Sequence, residues 1–165
     1  TIWPRRSPRR GLELSIGKST SAVAKSKKVR SAEFDMYEAT TRGIRIRVEP
    51  RYLDDQSSPE DGHYVWSYAV EIINDGSETV QLKTRTWRIT DALGRTEEVR
   101  GPGVVGQTPV IPPGGTFSYT SGCPLKTPQG IMVGSYQMTD EAGSMFDVAI
   151  PAFSLDSPYT QRSMN

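Results

Sequence analysis

The chain has 165 residues, a single cysteine and charges that nearly cancel, with 20 Lys and Arg against 19 Asp and Glu. This length suffices for one domain with a hydrophobic core, and no apolar run approaches the roughly 20 residues of a membrane-spanning helix. A single cysteine excludes an intrachain disulfide, and no apolar signal-peptide segment is evident, so nothing favours secretion. We therefore expect a cytoplasmic protein with no membrane association.

The charges are distributed unevenly along the chain. Residues 1–35 carry nine Lys and Arg and three Asp and Glu, whereas residues 36–165 carry eleven and sixteen. The first part is poor in apolar side chains, so we expect it to be disordered. Contact with nucleic acid or an anionic membrane, or a role as a transit segment, would suit its basic charge. Because Met36 directly precedes the first folded pattern, we favour a leader that comes from cloning or from a mis-assigned start.

The folded part begins with the alternation of a β-strand that has one buried face. Ile44, Ile46 and Val48 alternate with charged residues, a period of two. A turn at 74–77 ends the following strand, which is longer. Five apolar side chains share one face of that strand: Tyr64, Trp66, Tyr68, Val70 and Ile72.

The next strand changes the face on which its apolar residues lie. Val80 and Leu82 share one parity, and Trp87 and Ile89 share the other. Because successive side chains of a strand point to opposite faces, this change predicts a bulge or break within residues 83–86.

Further short strands follow, separated by turns. A turn at 91–94 leads into a charged strand at 95–100, another strand lies at 116–120, and the last two strands meet in a hairpin at 140–143. No long segment has helical periodicity. About six to eight strands with turns at this spacing predict an all-β fold, a two-sheet antiparallel β-sandwich of the fibronectin type III or immunoglobulin kind.

The most distinctive motif is Gly101-x-Gly103-x-x-Gly106. In a dinucleotide-binding fold such glycines lie between a strand and a helix, whereas the prolines and glycines at 109–115 forbid a helix here. Successive backbone amides can still form an anion-binding concavity, with Arg100 beside it. We favour the alternative that the glycines permit unusual backbone angles and close packing. Phosphate or nucleotide binding remains the competing hypothesis.

Four acidic residues crowd one loop: Asp54, Asp55, Glu60 and Asp61. Carboxylate oxygens suit Mg²⁺ or Ca²⁺, but the loop lacks the ligand spacing of a calcium loop, and solvated charge is the simpler interpretation. One His and one Cys are too few for a structural zinc site. We expect no cofactor and keep divalent-cation binding as a weaker alternative.

The candidate catalytic pair consists of His63 and Cys123, the one histidine and the one cysteine. They could meet in space, but Cys123 precedes Pro124 in an expected turn, without a helix N-terminus that would lower its pKa. No third group that would orient a base is evident. We therefore expect no catalytic residues and no enzyme activity.

A basic stripe, Arg42, Arg45, Arg47 and Arg51, follows the first strand. The acidic balance of residues 36–165 opposes a surface that tracks phosphates, so we expect no nucleic-acid binding by the folded part. A charged edge strand that avoids self-pairing explains these arginines as well.

Several separated blocks match the bacterial ApaG family in order. They lie at 37–53, 64–74, 82–114, 117–138 and 150–155. On these blocks the chain resembles that family over residues 36–157, which leaves 158–165 as an expected flexible tail. The resemblance implies a fibronectin type III-like sandwich, an association with cobalt tolerance and magnesium efflux, and no established enzymatic activity.

The resemblance also favours partner binding, since related domains occur in eukaryotic F-box proteins and in a mitochondrial polymerase-interacting protein. We therefore expect a non-catalytic protein-interaction module with an unidentified protein partner. Its contact residues are expected in the loop 100–109 and among whichever of the aromatic residues Tyr52, Tyr64 and Trp66 are exposed. The unpaired edges of an open sandwich favour a homodimer too.

Overall fold

The computed structural model describes residues 27–30 and 35–160, which form two antiparallel β-sheets. The first sheet contains, in order across it, β1 (Lys27–Arg30), β2 (Asp35–Thr41), β3 (Ile44–Tyr52), β4 (Tyr64–Asn74) and β8 (Thr116–Leu125). The second contains β10 (Met145–Asp156), β9 (Gln129–Thr139), β5 (Val80–Asp91) and β6 (Thr96–Pro102), and the short β7 (Val110–Ile111) pairs with the start of β5. The predicted all-β sandwich is confirmed.

The core lies where the inner faces of the two sheets meet. The ring of Trp87, from the second sheet, contacts that of Tyr68 from the first sheet, with centroids 5.4 Å apart. It also contacts the ring of Phe153 on β10, at 5.9 Å. The predicted inner face of β4 is confirmed from Trp66 to Ile72, because its apolar residues there are buried. Burial of this many large side chains is the main stabilising contribution to such a fold.

The bulge predicted in β5 is present. The register of β5 against β9 shifts between Leu82 and Thr84, so Lys83 is the extra residue. Leu82 is buried before the shift and Trp87 after it, although their parities differ. The carbonyl of Lys83 accepts a hydrogen bond of 2.8 Å from the amide of Gly103. The bulge therefore fastens β5 to the loop that carries the glycine motif.

The position of β3 in the sheet differs from the sequence interpretation. β3 lies between β2 and β4, so edge protection does not explain its arginines. Each arginine of the basic stripe is paired with a carboxylate, which for Arg51 lies on the same strand and for the others on a neighbouring strand or a turn. The pairs are Arg42–Asp140, Arg45–Asp75, Arg47–Glu38, Arg47–Glu71 and Arg51–Glu49.

Several segments form strands where the sequence predicted none: β1, β2, β7 and the second half of β8. β8 continues past residue 120 to Leu125, because its backbone pairs with β4 as far as Tyr64. Cys123 therefore lies in a strand and not in a turn. Within the expected disordered leader, Lys27–Arg30 pairs with β2, and Lys28 forms an ion pair of 3.0 Å with Asp35. The other residues of the expected leader, 1–26 and 31–34, lie outside the described residues.

Candidate functional site

The glycine loop, residues 101–109, is closed by a tight turn. Val104 and Gln107 donate their amides to each other's carbonyls at 2.8 and 2.9 Å. The central residues Val105 and Gly106 have φ angles of 44° and 78°, both positive, as a type I′ turn requires. A positive φ is uncommon for any residue with a side chain and is a true outlier for a β-branched one. The turn therefore holds Val105 in a strained conformation.

Two of the three glycines of the motif lie where a side chain would be crowded by its neighbours. Gly103 is buried with a φ of 59°, and a Cβ there would lie 2.3 Å from the carbonyl oxygen of Gln107. A Cβ on Gly101 would lie 3.1 Å from the guanidinium of Arg85. Gly106 has open space around it, so only its backbone angle favours glycine. This arrangement supports the packing interpretation of the motif.

Arg85 of β5 holds the loop in place, although no motif in the sequence pointed to this residue. Its Nη1 donates to the carbonyl oxygens of Pro102 at 2.9 Å and Gly103 at 2.6 Å. Hydrogen bonds from a charged donor are stronger than neutral ones. Arg85 stands directly opposite Gly101 in the β5–β6 register, and that pairing brings it to the loop.

Buried tyrosine hydroxyls lie near Arg85. The hydroxyl groups of Tyr119 and Tyr136 share a hydrogen bond that joins β8 of one sheet to β9 of the other. Burial raises the pKa of both groups, and it raises the pKa of Tyr68 to about 12, while the positive charge of Arg85 opposes these rises. All three hydroxyls therefore stay protonated near neutral pH.

The loop is poorly prepared to hold an anion. The amides of Gly103, Val104 and Gln107 already donate to carbonyl oxygens of the protein. Arg100 is exposed and forms an ion pair of 2.6 Å with Glu98. An anion-binding concavity needs free amides that point at the ligand, and three amides of this loop are occupied.

The four acids of the expected cation site are not assembled into one. Asp54 and Asp55 lie in one 3-10 turn, Glu60 and Asp61 in the next, and all four are exposed. The Asp61 carboxylate accepts a hydrogen bond of 2.7 Å from the hydroxyl of Ser58. Across residues 27–30 and 35–160, no three His, Cys, Asp or Glu side chains are grouped so that they could hold a metal ion.

The candidate catalytic pair is not formed. Cys123 is the cross-strand partner of Trp66 and not of His63, which lies just before β4 and is exposed. Cys123 is 1% exposed, and burial raises the pKa of its thiol to about 12. Because the thiolate is the nucleophilic form, this cysteine has none of the character of a catalytic one.

The aromatic residues expected at the surface divide into two groups. Trp66 is 1% exposed and its Nε1 donates to the carbonyl oxygen of Asp156 at 2.8 Å, so it is a core residue and not part of an exposed interaction surface. Tyr52 and Tyr64 are half-buried, and both rings contact that of Tyr159, with centroids 6.4 and 6.3 Å apart. Tyr159 itself is 49% exposed. Within this cluster, Tyr159 is therefore more exposed to solvent than Tyr52 and Tyr64, which the sequence had indicated as contact residues.

Tyr159 belongs to the segment expected to be a flexible tail. The first residues of this segment form a turn with Ser157, in which the Thr160 amide donates to the Ser157 carbonyl at 3.1 Å. The Ser157 hydroxyl donates to the carbonyl oxygen of Pro128 at 2.6 Å. Residues 158–160 are thus fixed against the end of the sandwich, and 161–165 lie outside the described residues.

A protein-family model matches the part of the chain that contains most of these features. In the described part of the chain no helix has the length and apolar character to cross a membrane. The model of the ApaG domain matches residues 54–140, more than half of the chain. The chain belongs to the ApaG family. The ApaG match includes the glycine loop, Arg85 and Cys123, and it confirms the resemblance seen in the sequence.

Relatives and solved structures agree with the family model. A Protein ApaG from Paramagnetospirillum magneticum is 63% identical over 130 residues, which are 79% of this chain and all of that relative. One from Brucella anthropi is 59% identical over the same lengths. The crystal structure of a Bordetella pertussis protein described as ApaA is 50% identical, with a TM-score of 0.69, and the match covers 71% of this chain and 95% of that one.

Proposed function

We propose that this ApaG domain is a non-catalytic protein-interaction module that contacts its partner with the tip of the glycine loop. Val105 is the observation that supports this most. It is 52% exposed and has a φ of 44°. A residue with a side chain held in this region costs on the order of 1–3 kcal/mol, and such strain is concentrated at functional sites. An exposed apolar side chain in a strained turn is better suited to contact with a partner than to stability.

The rest of the loop supports the same interpretation. Val110, on the strand that follows the loop, is 60% exposed. Arg85 and the Lys83 carbonyl hold the backbone of the loop from β5. A loop fixed before binding loses less conformational entropy when the complex forms.

A partner also explains how this domain can influence metal ions. The association with cobalt tolerance and magnesium efflux is implied by the family resemblance alone. Because the described residues form no group of metal-ligating side chains, we propose that this domain acts from the cytoplasm and that any such effect passes through a bound protein that transports or senses the ion.

The test compares proteins captured by three forms of the full chain. Val105→Asp places a charge at the loop tip, and Leu93→Asp places one in the turn at the other end of β6, where Leu93 is 73% exposed. We expect wild type and Leu93→Asp to retain the same specific proteins, and Val105→Asp to lose them. Circular dichroism checks that all three are folded. The proposal fails if Val105→Asp captures the same proteins as wild type, or if both variants lose them equally.

A further inference from the structure

The edge strands of the two sheets differ in how they are protected against pairing with another chain. Among the described strands, β1 and β8 are the edges of the first sheet, and β6 and β10 are the edges of the second. An edge strand exposes a row of backbone N–H and C=O groups, and natural sheets protect it with charged residues, proline or bulges.

Three of the edges carry such protection. In β1, three of the four residues are basic, and β6 carries Glu97, Glu98 and Arg100. The register of β10 shifts between Ile150 and Phe153, where Pro151 lies. Each of these features opposes the addition of a further strand.

β8 lacks this protection along most of its length. Its ten residues, T-F-S-Y-T-S-G-C-P-L, include no charged side chain, and its one proline, Pro124, is next to the end. One side of β8 pairs with β4 from Thr116 to Leu125, and no other strand of the described residues pairs with its second side. β8 is therefore a long, uncharged edge that can accept a strand.

We propose that β8 pairs with the β8 strand of a second copy of this chain, antiparallel about a twofold axis. The first sheets of the two copies then form one continuous sheet. In such a pairing each strand meets its own sequence, so a charged residue near the centre would face a like charge, and β8 has none. Its Thr, Phe and Tyr residues favour strands, and Thr and Ser can hydrogen-bond across a strand pair.

The alternation of β8 limits the register of this pairing. Thr116, Ser118 and Thr120 are exposed on the outer face, whereas Tyr119 and Cys123 are buried on the inner face. Residues directly opposite each other must share a face. The registers that pair the most residues therefore place either Thr120 or Ser121 opposite its own copy. In both, Thr120 lies at the centre of the interface.

Sedimentation velocity of the full chain over a range of concentrations tests this pairing. We expect wild type to form a dimer, and Thr120→Lys to weaken the dimer by roughly tenfold or more, because like charges would be juxtaposed. Thr120→Glu should weaken it similarly, and an equimolar mixture of the two variants should restore a dimer. Thr96→Lys, on the exposed edge of β6, is the matched control and should leave the dimer intact.

Each alternative result overturns the proposal. A wild-type chain that is monomeric at every concentration would exclude self-pairing, even if the edge accepted a strand from another protein. A dimer that Thr120→Lys does not weaken would have to form through another surface. Circular dichroism verifies folding, and if a variant at position 120 is unfolded, Ser118→Lys and Ser118→Glu replace the pair.

Discussion

Two glycines of the same motif have different physical roles at the residue scale. Gly103 combines a φ of 59° with a backbone oxygen 2.3 Å from the position of a Cβ. Gly106 has a φ of 78° and open space around it. A side chain at Gly106 therefore costs only the left-handed conformation, whereas one at Gly103 also overlaps the carbonyl of Gln107, which closes the turn.

Alanine substitutions at these two positions should separate strain from overlap. We expect Gly103→Ala to lower the free energy of unfolding by about 3 kcal/mol and Gly106→Ala by about 1 kcal/mol. Urea denaturation followed by tryptophan fluorescence measures both. Equal losses would mean that the loop relaxes around the added methyl group and that the overlap has no energetic weight.

The sequence pattern indicated the position of the glycine loop, but it did not indicate that Arg85 holds this loop. Arg100 adjoins Gly101 in the chain and was the natural candidate, yet its side chain pairs with Glu98 and points to solvent. Arg85, which bonds the Gly103 carbonyl, precedes that glycine by 18 residues. Its role depends on the register of β5 against β6, which the local pattern of residues does not specify. Burial of Trp66, in contrast, follows from the alternation of β4.

At the scale of elements, the Arg85 side chain adds two hydrogen bonds to the backbone pairing that already joins β5 to the glycine loop. Arg85→Met removes the hydrogen bonds to Pro102 and Gly103 and leaves two carbonyls without this donor. We expect the free energy of unfolding to fall by about 2–3 kcal/mol, and the amide of Gly103 to exchange with deuterium faster. Hydrogen exchange followed by NMR measures the second effect.

Arg88→Met is the matched control, because Arg88 lies on the same strand and is exposed. It should leave the exchange of the Gly103 amide unchanged. If Arg85→Met also leaves that exchange unchanged, the loop keeps its shape without Arg85, and the proposal that Arg85 makes the contact surface rigid is wrong.

The strands themselves were predictable where alternation is strong. The parity change between Leu82 and Trp87 requires an extra residue, so the bulge at Lys83 could be derived from sequence. The second half of β8 could not be derived in this way, because Ser-Gly-Cys-Pro has the composition of a turn. It is a strand because its backbone pairs with β4. The central position of β3 depends equally on which strands are neighbours, and local patterns do not contain that information.

At the scale of the whole molecule, ionisable groups buried between the sheets make stability depend on pH. Burial raises the pKa of Cys123 from 9.0 to about 12 and that of Tyr68 from 10.0 to about 12, and it raises those of Tyr119 and Tyr136 as well. These groups remain neutral in the folded state at a pH where the unfolded chain ionises. Their contribution to stability is therefore complete below the unfolded pKa and is lost as pH rises toward the folded one.

We expect the free energy of unfolding attributable to these groups to begin falling near pH 9 and to continue falling toward pH 12. Each group contributes a slope of up to about 1.4 kcal/mol per pH unit. Cys123→Ala should delay the onset toward pH 10, because the tyrosines then ionise first in the unfolded chain. Urea denaturation at a series of alkaline pH values measures the profile. Superimposable profiles of wild type and Cys123→Ala would contradict this account.

The burial of Cys123 has a practical consequence for observing the molecule in motion. It is the one cysteine of the sequence, it is 1% exposed, and it lies on the strand proposed to join two copies. A thiol reagent can modify it only when β8 opens, since the folded state keeps the sulfur both covered and protonated. The rate at which such a reagent labels Cys123 therefore measures how often β8 opens, and no additional reporter group has to be introduced.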